Sequence, residues 1–160
     1  MFYYLYFLFS QLSDGVYRST GLLYFINTFS SEGKTFLAEK ILYRSFFFIK
    51  KTLNSSGSFI FLGAVEKIKP IVGLKLYTLK KRKLQRVIAM PYLTSNSIQY
   101  KKAMFWFVKA IKLRKEKKCF LKIVNEFYDV LVNNTGISLL TKKGFYSSIV
   151  LCKKVKTFKW

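Results

Sequence analysis

Residues Lys67–Met90, KIKPIVGLKLYTLKKRKLQRVIAM, decide how this 160-residue chain is read. Pro70 ends any helix before it, because the residue preceding a proline is pushed out of the α region. Beyond it, Val72, Leu74, Leu76 and Thr78 alternate with Gly73, Lys75, Tyr77 and Leu79. Leu84, Arg86, Ile88 and Met90 then alternate with Lys83, Gln85, Val87 and Ala89. A period of two on both sides of Lys80-Lys81-Arg82-Lys83 predicts two strands and a basic tip. The tip lacks Asn-Gly or Asp-Gly, the strongest short hairpin signal, so the hairpin rests on the alternation.

The flanks read as helices. Gly21–Phe29 places Leu22, Phe25, Ile26 and Phe29 on one helical face. Ser30-Ser31-Glu32-Gly33 breaks it. Lys34–Lys51 resumes a helical pattern, with Leu37, Ala38, Ile41, Leu42, Phe48 and Ile49 forming a broad apolar stripe. Phe46-Phe47-Phe48 makes that helix apolar almost all round, so one of these rings is expected to meet a partner. A loop at Thr52–Ser58 leads to a short helix, Phe59–Lys69, ended by Pro70.

After the ribbon, Pro91–Ser97 reads as a connector and Ile98–Leu113 as a helix ending in Arg114-Lys115-Glu116-Lys117-Lys118. Phe120–Val132 is the cleanest amphipathic pattern. Phe120, Val124, Phe127, Tyr128 and Leu131 face one way; Lys122, Asn125, Glu126, Asp129 and Asn133 face the other. Asn133-Asn134-Thr135-Gly136 stops it, since Asn and Gly suit the left-handed position after a helix. Ile137–Trp160 has no strong period and room for one short helix. The expected fold is mainly α, a bundle of about five to six helices with a protruding two-stranded β-ribbon near 71–90. Residues 21–160 form one domain behind an apolar extension at 1–20.

Charge is the dominant bulk property: 29 Lys and Arg against 7 Asp and Glu, net +22. So much like charge destabilises a compact state by self-repulsion, so the chain is expected to live against a polyanion. The hydrophobic fraction of 51% excludes a disordered basic tail as the whole protein. There is no histidine, so the commonest general base and metal ligand are missing. Cys119 and Cys152 have no CxxC neighbour and are expected as buried or half-buried thiols. The acids suggest no carboxylate dyad. Gly33-Lys34-Thr35 looks like the end of a P-loop, but Thr28 stands where the loop needs its first glycine. No enzyme, cofactor or metal site is expected.

The run MFYYLYFLF at Met1–Phe9 has no basic n-region and no cleavage site. It falls far short of the roughly 20 residues of a spanning helix. It is expected to pack on the body or on a neighbour, without stable membrane insertion. A peripheral protein on anionic lipid, with this run lying in the interface, is the alternative reading. A DNA-compacting protein is disfavoured, because no helix gathers its cations on a single recognition face.

The residues also resemble a family, the small-subunit ribosomal protein numbered seven in its bacterial and organellar form. The resemblance runs from LLYFINTFSSEGKTFLAEKILYRSFFFIKK at Leu22–Lys51 to AVEKIKPIV at Ala64–Val72, the family's approach to an extended ribbon. It continues through Lys101–Arg114, where Trp106 falls on the family's tryptophan. Asn125-Glu126, Asn133-Asn134-Thr135-Gly136, Lys142-Lys143 and the terminal Trp160 follow in order. The chain departs from the family at the ribbon tip, with Lys80-Lys81 for Gly-Gly. Gly144-Phe145-Tyr146 replaces Arg-Glu-Asp, and the N-terminus is apolar instead of basic.

The resemblance implies a structural, rRNA-binding component of the small-subunit head that contacts the 3′ major domain and supports head assembly. It implies neighbouring ribosomal proteins of head and platform as partners, with mRNA and exit-site tRNA close to the ribbon. Phosphate contacts are expected from Lys75, Lys80, Lys81, Arg82, Lys83 and Arg86 on the ribbon. Lys34, Lys69, Arg114, Lys117, Lys118, Lys142 and Lys143 are expected to add contacts from loops and helix ends. Tyr77 and Phe145 are candidates for stacking on bases, and Trp106 is expected in the core. The Phe-, Tyr-, Lys- and Ile-rich composition points to an AT-rich, organelle-encoded gene and a mitochondrial ribosome in the matrix, ahead of a plastid.

Overall fold

The path from Ser19 to Cys152 is six helices interrupted by one ribbon. The computed structural model describes residues 19–30, 32–81 and 84–152, with the side chains of 79–88 and 152 outside the description. The helices are α1 (Thr20–Phe29), α2 (Thr35–Leu53), α3 (Gly57–Ile68), α4 (Asn96–Leu113), α5 (Cys119–Tyr128) and α6 (Ile137–Cys152). The strands β1 (Val72–Lys81) and β2 (Leu84–Leu93) lie between α3 and α4. The architecture is the mainly helical bundle with a two-stranded ribbon that the pattern predicts. The expectations for Met1–Phe9 and Trp160 lie outside the described residues.

Local chemistry sets the boundaries. The Ser19 hydroxyl accepts from the Leu22 backbone N–H and the Ser56 hydroxyl from that of Phe59, satisfying donors that a helix start leaves open. Asn54 (φ 49°) and Asn134 (φ 54°) close α2 and the α5 region in the left-handed conformation that Asn tolerates. Gly33, at φ 74°, turns the chain between α1 and α2.

The core is a chain of aromatic contacts that joins five helices. Phe25 of α1 meets Phe61 of α3 edge-on at 5.6 Å and Phe107 of α4 at 5.7 Å. Phe107 in turn meets Phe127 of α5 at 4.7 Å, and Phe127 meets Phe46 of α2 at 5.6 Å. Such tilted and edge-on pairs add about 0.5–1.5 kcal/mol each beyond their buried area. Trp106 is buried and packs on Phe145 of α6 at 5.2 Å.

Several expectations are corrected. On α2, Ala38, Leu42, Phe46 and Ile49 are buried, but Leu37 and Phe48 are exposed, because the buried stripe is narrower than the apolar one. Phe47 is 77% exposed. On α5, Tyr128 is exposed and Glu126 is fully buried, for a reason given below. After α5 the helix widens into a π-turn, Asp129–Asn133, which shifts the face that Val130 presents to the core. Cys119 is exposed; the Cys152 side chain lies outside the description. The final segment, which has no clear period, forms the full helix α6.

The ribbon is longer than the alternation indicates. Its antiparallel register runs from Val72↔Leu93 to Lys81↔Leu84, so Pro91, Tyr92 and Leu93 belong to β2 and not to the connector. Pro91 stands opposite Leu74; a two-stranded ribbon has only edge strands, where a missing N–H is tolerated. From Lys75 to Thr78 the β1 side chains are exposed on both faces, which marks where the ribbon leaves the body.

Candidate nucleic-acid interface

The ribbon is fixed to the body at its root. Thr94, just past β2, donates its hydroxyl to the Ile71 carbonyl at 2.8 Å and to that of Pro70 at 3.3 Å. Its backbone N–H reaches the Ile71 carbonyl at 3.1 Å. Gln99 of α4 donates to the Thr94 carbonyl at 2.8 Å, and the Tyr146 hydroxyl of α6 accepts from the Ile71 N–H at 3.1 Å. Gly73 has no room for a side chain: a Cβ there would stand 2.6 Å from Thr94 Cγ2 and 2.8 Å from the Tyr92 ring. The two strands therefore leave α3 and enter α4 through a clamp made by Pro70, Ile71 and Thr94 with side chains of two helices, α4 and α6.

Lysines gather around that clamp. Lys69 pairs with Glu66 and lies over the Tyr100 ring at 5.2 Å, while Tyr100 donates its hydroxyl to the same Glu66. Hydrogen bonds from Lys69 and Tyr100 hold the Glu66 carboxyl below its ordinary range. Lys142 of α6 donates to the Lys67 carbonyl at 2.6 Å and sits 6.0 Å from the Tyr146 ring. Burial, then the nearby Lys69 charge, push its ammonium pKa down. Lys102 of α4 lies 3.9 Å from the Phe145 ring and 5.6 Å from that of Trp106, and burial pushes its pKa down as well. Lys67 reaches across to cap the π-turn, donating to the Leu131 carbonyl at 2.7 Å and to Asn134 Oδ1 at 2.9 Å. A cation with a lowered pKa is one whose charge the local structure disfavours; an incoming anion reverses that penalty.

The structure thus brings together Lys69 and Lys142, and adds Lys67 and Lys102, which pattern reading passes over. Lys102 stands four residues before Trp106, a spacing that puts cation and ring on one helix face. Lys75 is exposed beside the Tyr77 ring at 5.4 Å, and Tyr77 is itself exposed. Lys117, Lys118 and Lys143 are exposed; Lys34 is exposed and paired with Glu32 at 3.0 Å. Such an exposed pair contributes little and opens readily. The side chains of Lys80, Lys81 and Arg86, and the whole of Arg82 and Lys83, lie outside the described residues. Phe145 is half-buried against Trp106 and not free for a base, because it closes the core under α6.

Arg114 is held differently from the lysines beside it. Its guanidinium donates to Glu126 at 2.8 Å, to Glu116 at 2.9 Å and to Asp129. Burial opposes its charge, but the hydrogen bonds to Asp129, Glu126 and Glu116 outweigh burial and hold its pKa well above the ordinary arginine value. Glu126 also accepts from the Ser138 N–H at 2.9 Å and hydroxyl at 2.7 Å, which ties α5 to the start of α6 and explains its burial. Arg114 is committed to holding three segments together.

Among the described residues, no helix is long and apolar enough to cross a membrane, and no cluster of potential metal ligands occurs. The family model for ribosomal protein S7p/S5e matches residues 9–145. The small ribosomal subunit protein uS7 of Mycoplasma capricolum is 29% identical over 149 residues, which cover 93% of each chain. That of Wigglesworthia glossinidia brevipalpis is 30% identical over 149 residues, 93% of this chain and 92% of its own. The protein of the same name from Malacoplasma penetrans is 31% identical over 132 residues, 82% of each. The matched span holds the ribbon, the Ile71, Thr94 and Gln99 part of its clamp and the Arg114 network, and the chain belongs to the ribosomal protein S7p/S5e family, whose members are structural components of the small ribosomal subunit and not enzymes.

Proposed function

We propose that this protein binds the rRNA of the small-subunit head, in its 3′ major domain, and supports assembly of the head. Family membership carries the reading; the uneven distribution of charge supports it. The ribbon and its root present cations with little acidic compensation, as a phosphate backbone requires. Contacts are assigned to Lys75, Lys80, Lys81, Arg82, Lys83 and Arg86 along the ribbon, to Lys69 and Lys142 at its root, and to Lys34, Lys117, Lys118 and Lys143 on the body. Tyr77 is the exposed ring best placed to stack on a base. The ribbon lies near the mRNA and tRNA exit site, with ribosomal proteins of head and platform as neighbours. Residues 1–20 act as an extension to the domain at 21–160. The AT-rich coding bias favours a mitochondrial ribosome and an organelle-encoded gene.

Binding here is phosphate neutralisation. Each contact releases condensed counterions, so log affinity falls against log salt with a slope of roughly −0.7 to −0.9 per phosphate. Co-sedimentation with small subunits through a high-salt wash tests the reading. Retention is the expected result; release at modest salt would remove the protein from the integral components of the head. Organelle fractionation tests the mitochondrial assignment.

A further inference from the structure

Away from the ribbon, a cleft of about 240 Å³ opens between the end of α1, the start of α2 and the junction of α4 with α5. Phe29, Leu37, Ala38 and Ile41 give it an apolar lining, and Ser30, Lys34, Lys112 and Cys119 complete it. Lys34 immediately precedes α2, Lys112 lies in the last turn of α4, and Cys119 opens α5 directly after the exposed Lys117 and Lys118. The acids next to these lysines are already engaged, Glu32 with Lys34 and Glu116 with Arg114. Neither α2 nor α5 has a side-chain cap at its start, so the positive helix ends reinforce the lysines.

We propose that this cleft takes one unstacked nucleobase of the rRNA, with the phosphates flanking that base on Lys34 and Lys112. The volume is below the roughly 300–1,000 Å³ that drug-sized ligands fill, which suits one flat ring system and leaves the backbone outside. Single-stranded RNA is recognised largely by such splayed bases seated on apolar and aromatic side chains. A neighbouring protein's apolar side chain would fit the floor but would leave Lys112 unanswered and Lys34 with only its exposed, readily opened pair to Glu32, so charge favours the nucleotide. The inference rests on the rRNA-binding reading and assigns it a second contact far in sequence from the ribbon.

Cys119 is exposed on the cleft and reports its occupancy. In the full-length chain carrying Cys152→Ser, alkylation of the one remaining thiol by a maleimide is timed by mass spectrometry. It is timed for the protein alone, with a transcript of the head domain of small-subunit rRNA, and with inorganic polyphosphate. With transcript at ten times its Kd, alkylation should slow about ten-fold, following the bound fraction, while polyphosphate should protect far less. An unchanged alkylation rate with the transcript demonstrably bound would overturn the nucleobase site and leave the rRNA reading standing. Equal protection by polyphosphate would also overturn it, as anion screening without a base. Protection in assembled subunits but not with naked transcript would give the cleft to a neighbouring protein. Failure of the transcript to bind at all would sink both readings together.

Discussion

At the junction of α4, α5 and α6, one arginine faces three carboxylates; at the root of the ribbon, four lysines share the neighbourhood and one of them is paired with an acid. Arg114 meets Glu116, Glu126 and Asp129, whereas of Lys67, Lys69, Lys102 and Lys142 only Lys69 is paired with an acid, Glu66; Lys67 and Lys142 are held by backbone carbonyls and Lys102 lies over Phe145. The first region is electrically closed. Each of its charges has an opposite charge beside it, and among the described residues only one buried side-chain oxygen, Glu116 Oε2, is left without a hydrogen-bond partner. The second is open: Lys102 and Lys142 pay a burial penalty that no carboxylate among the described residues offsets. In a chain with a net charge of +22, the scarce acids are spent where the fold must hold itself together. The ribbon root is left for an outside anion to balance.

Replacing Arg114 by Met should break the closed region most severely. It leaves Glu126 buried without its counter-charge, a change that costs about 3–5 kcal/mol in comparable buried pairs. A urea unfolding midpoint close to the parent's would show that the network is dispensable and undo the contrast. In the open region, replacing Lys80, Lys81, Arg82 and Lys83 together by Ala should leave that midpoint unchanged. The salt dependence of rRNA binding should flatten by up to about 3 in log–log slope. An unaltered slope would take the tip out of the binding surface.

Gly73→Ala sharpens the comparison at the clamp itself. Its Cβ would press on Thr94 and Tyr92, and overpacking of this kind costs about 1–3 kcal/mol. Because both neighbours belong to the ribbon root, rRNA affinity should fall along with thermal stability. Full affinity in a destabilised variant would mean that the clamp serves the fold alone.

The smallest effect is acidic. Burial pushes the Glu116 carboxyl up, but hydrogen bonds from Asn125, its own backbone N–H and Arg114 bring it below 4.5; Lys69 and Tyr100 do the same for Glu66. A carboxylate depressed in the fold adds stability that is fully present above the unfolded value and is lost as pH falls through the folded one. The melting temperature should therefore decline as pH drops below about 4.5, and less so in Glu116→Gln. An equal decline in that variant would place the acid sensitivity elsewhere.

How much of this was legible in the sequence follows from which signals are local. The ribbon reads from its alternation, and the helix stops read from Pro70 and from Asn133-Asn134-Thr135-Gly136, whereas the starts capped by Ser19 and Ser56 pass unread. Glu126 misleads because an acid on an amphipathic helix normally marks the wet face, and its burial depends on Arg114 and Ser138, each twelve residues away. Arg114 misleads because it begins a basic run and looks like the lysines beside it. Pro91 hides the end of β2, since proline and serine clusters mark connectors and only an edge strand accepts them. The helix α6 hides because its inward residues, Ser138, Leu139, Phe145 and Ile149, mix polar with apolar while Leu140, Val150 and Leu151 stay exposed, so no clear period develops. Of the proposed contacts, the exposed lysines follow from composition. The root cluster does not, because it is assembled from α3, α4 and α6 by tertiary packing.

The clamp at Thr94 has a mechanical consequence. Ten residues per strand at about 3.3 Å each give an arm of roughly 30 Å beyond it. Over that length a tilt of only five degrees at the root sweeps the far end through roughly 3 Å, about the length of one hydrogen bond. The aim of the ribbon is thus set by the stiffness of a few bonds among Ile71, Thr94, Gln99 and Tyr146, far from anything the tip touches.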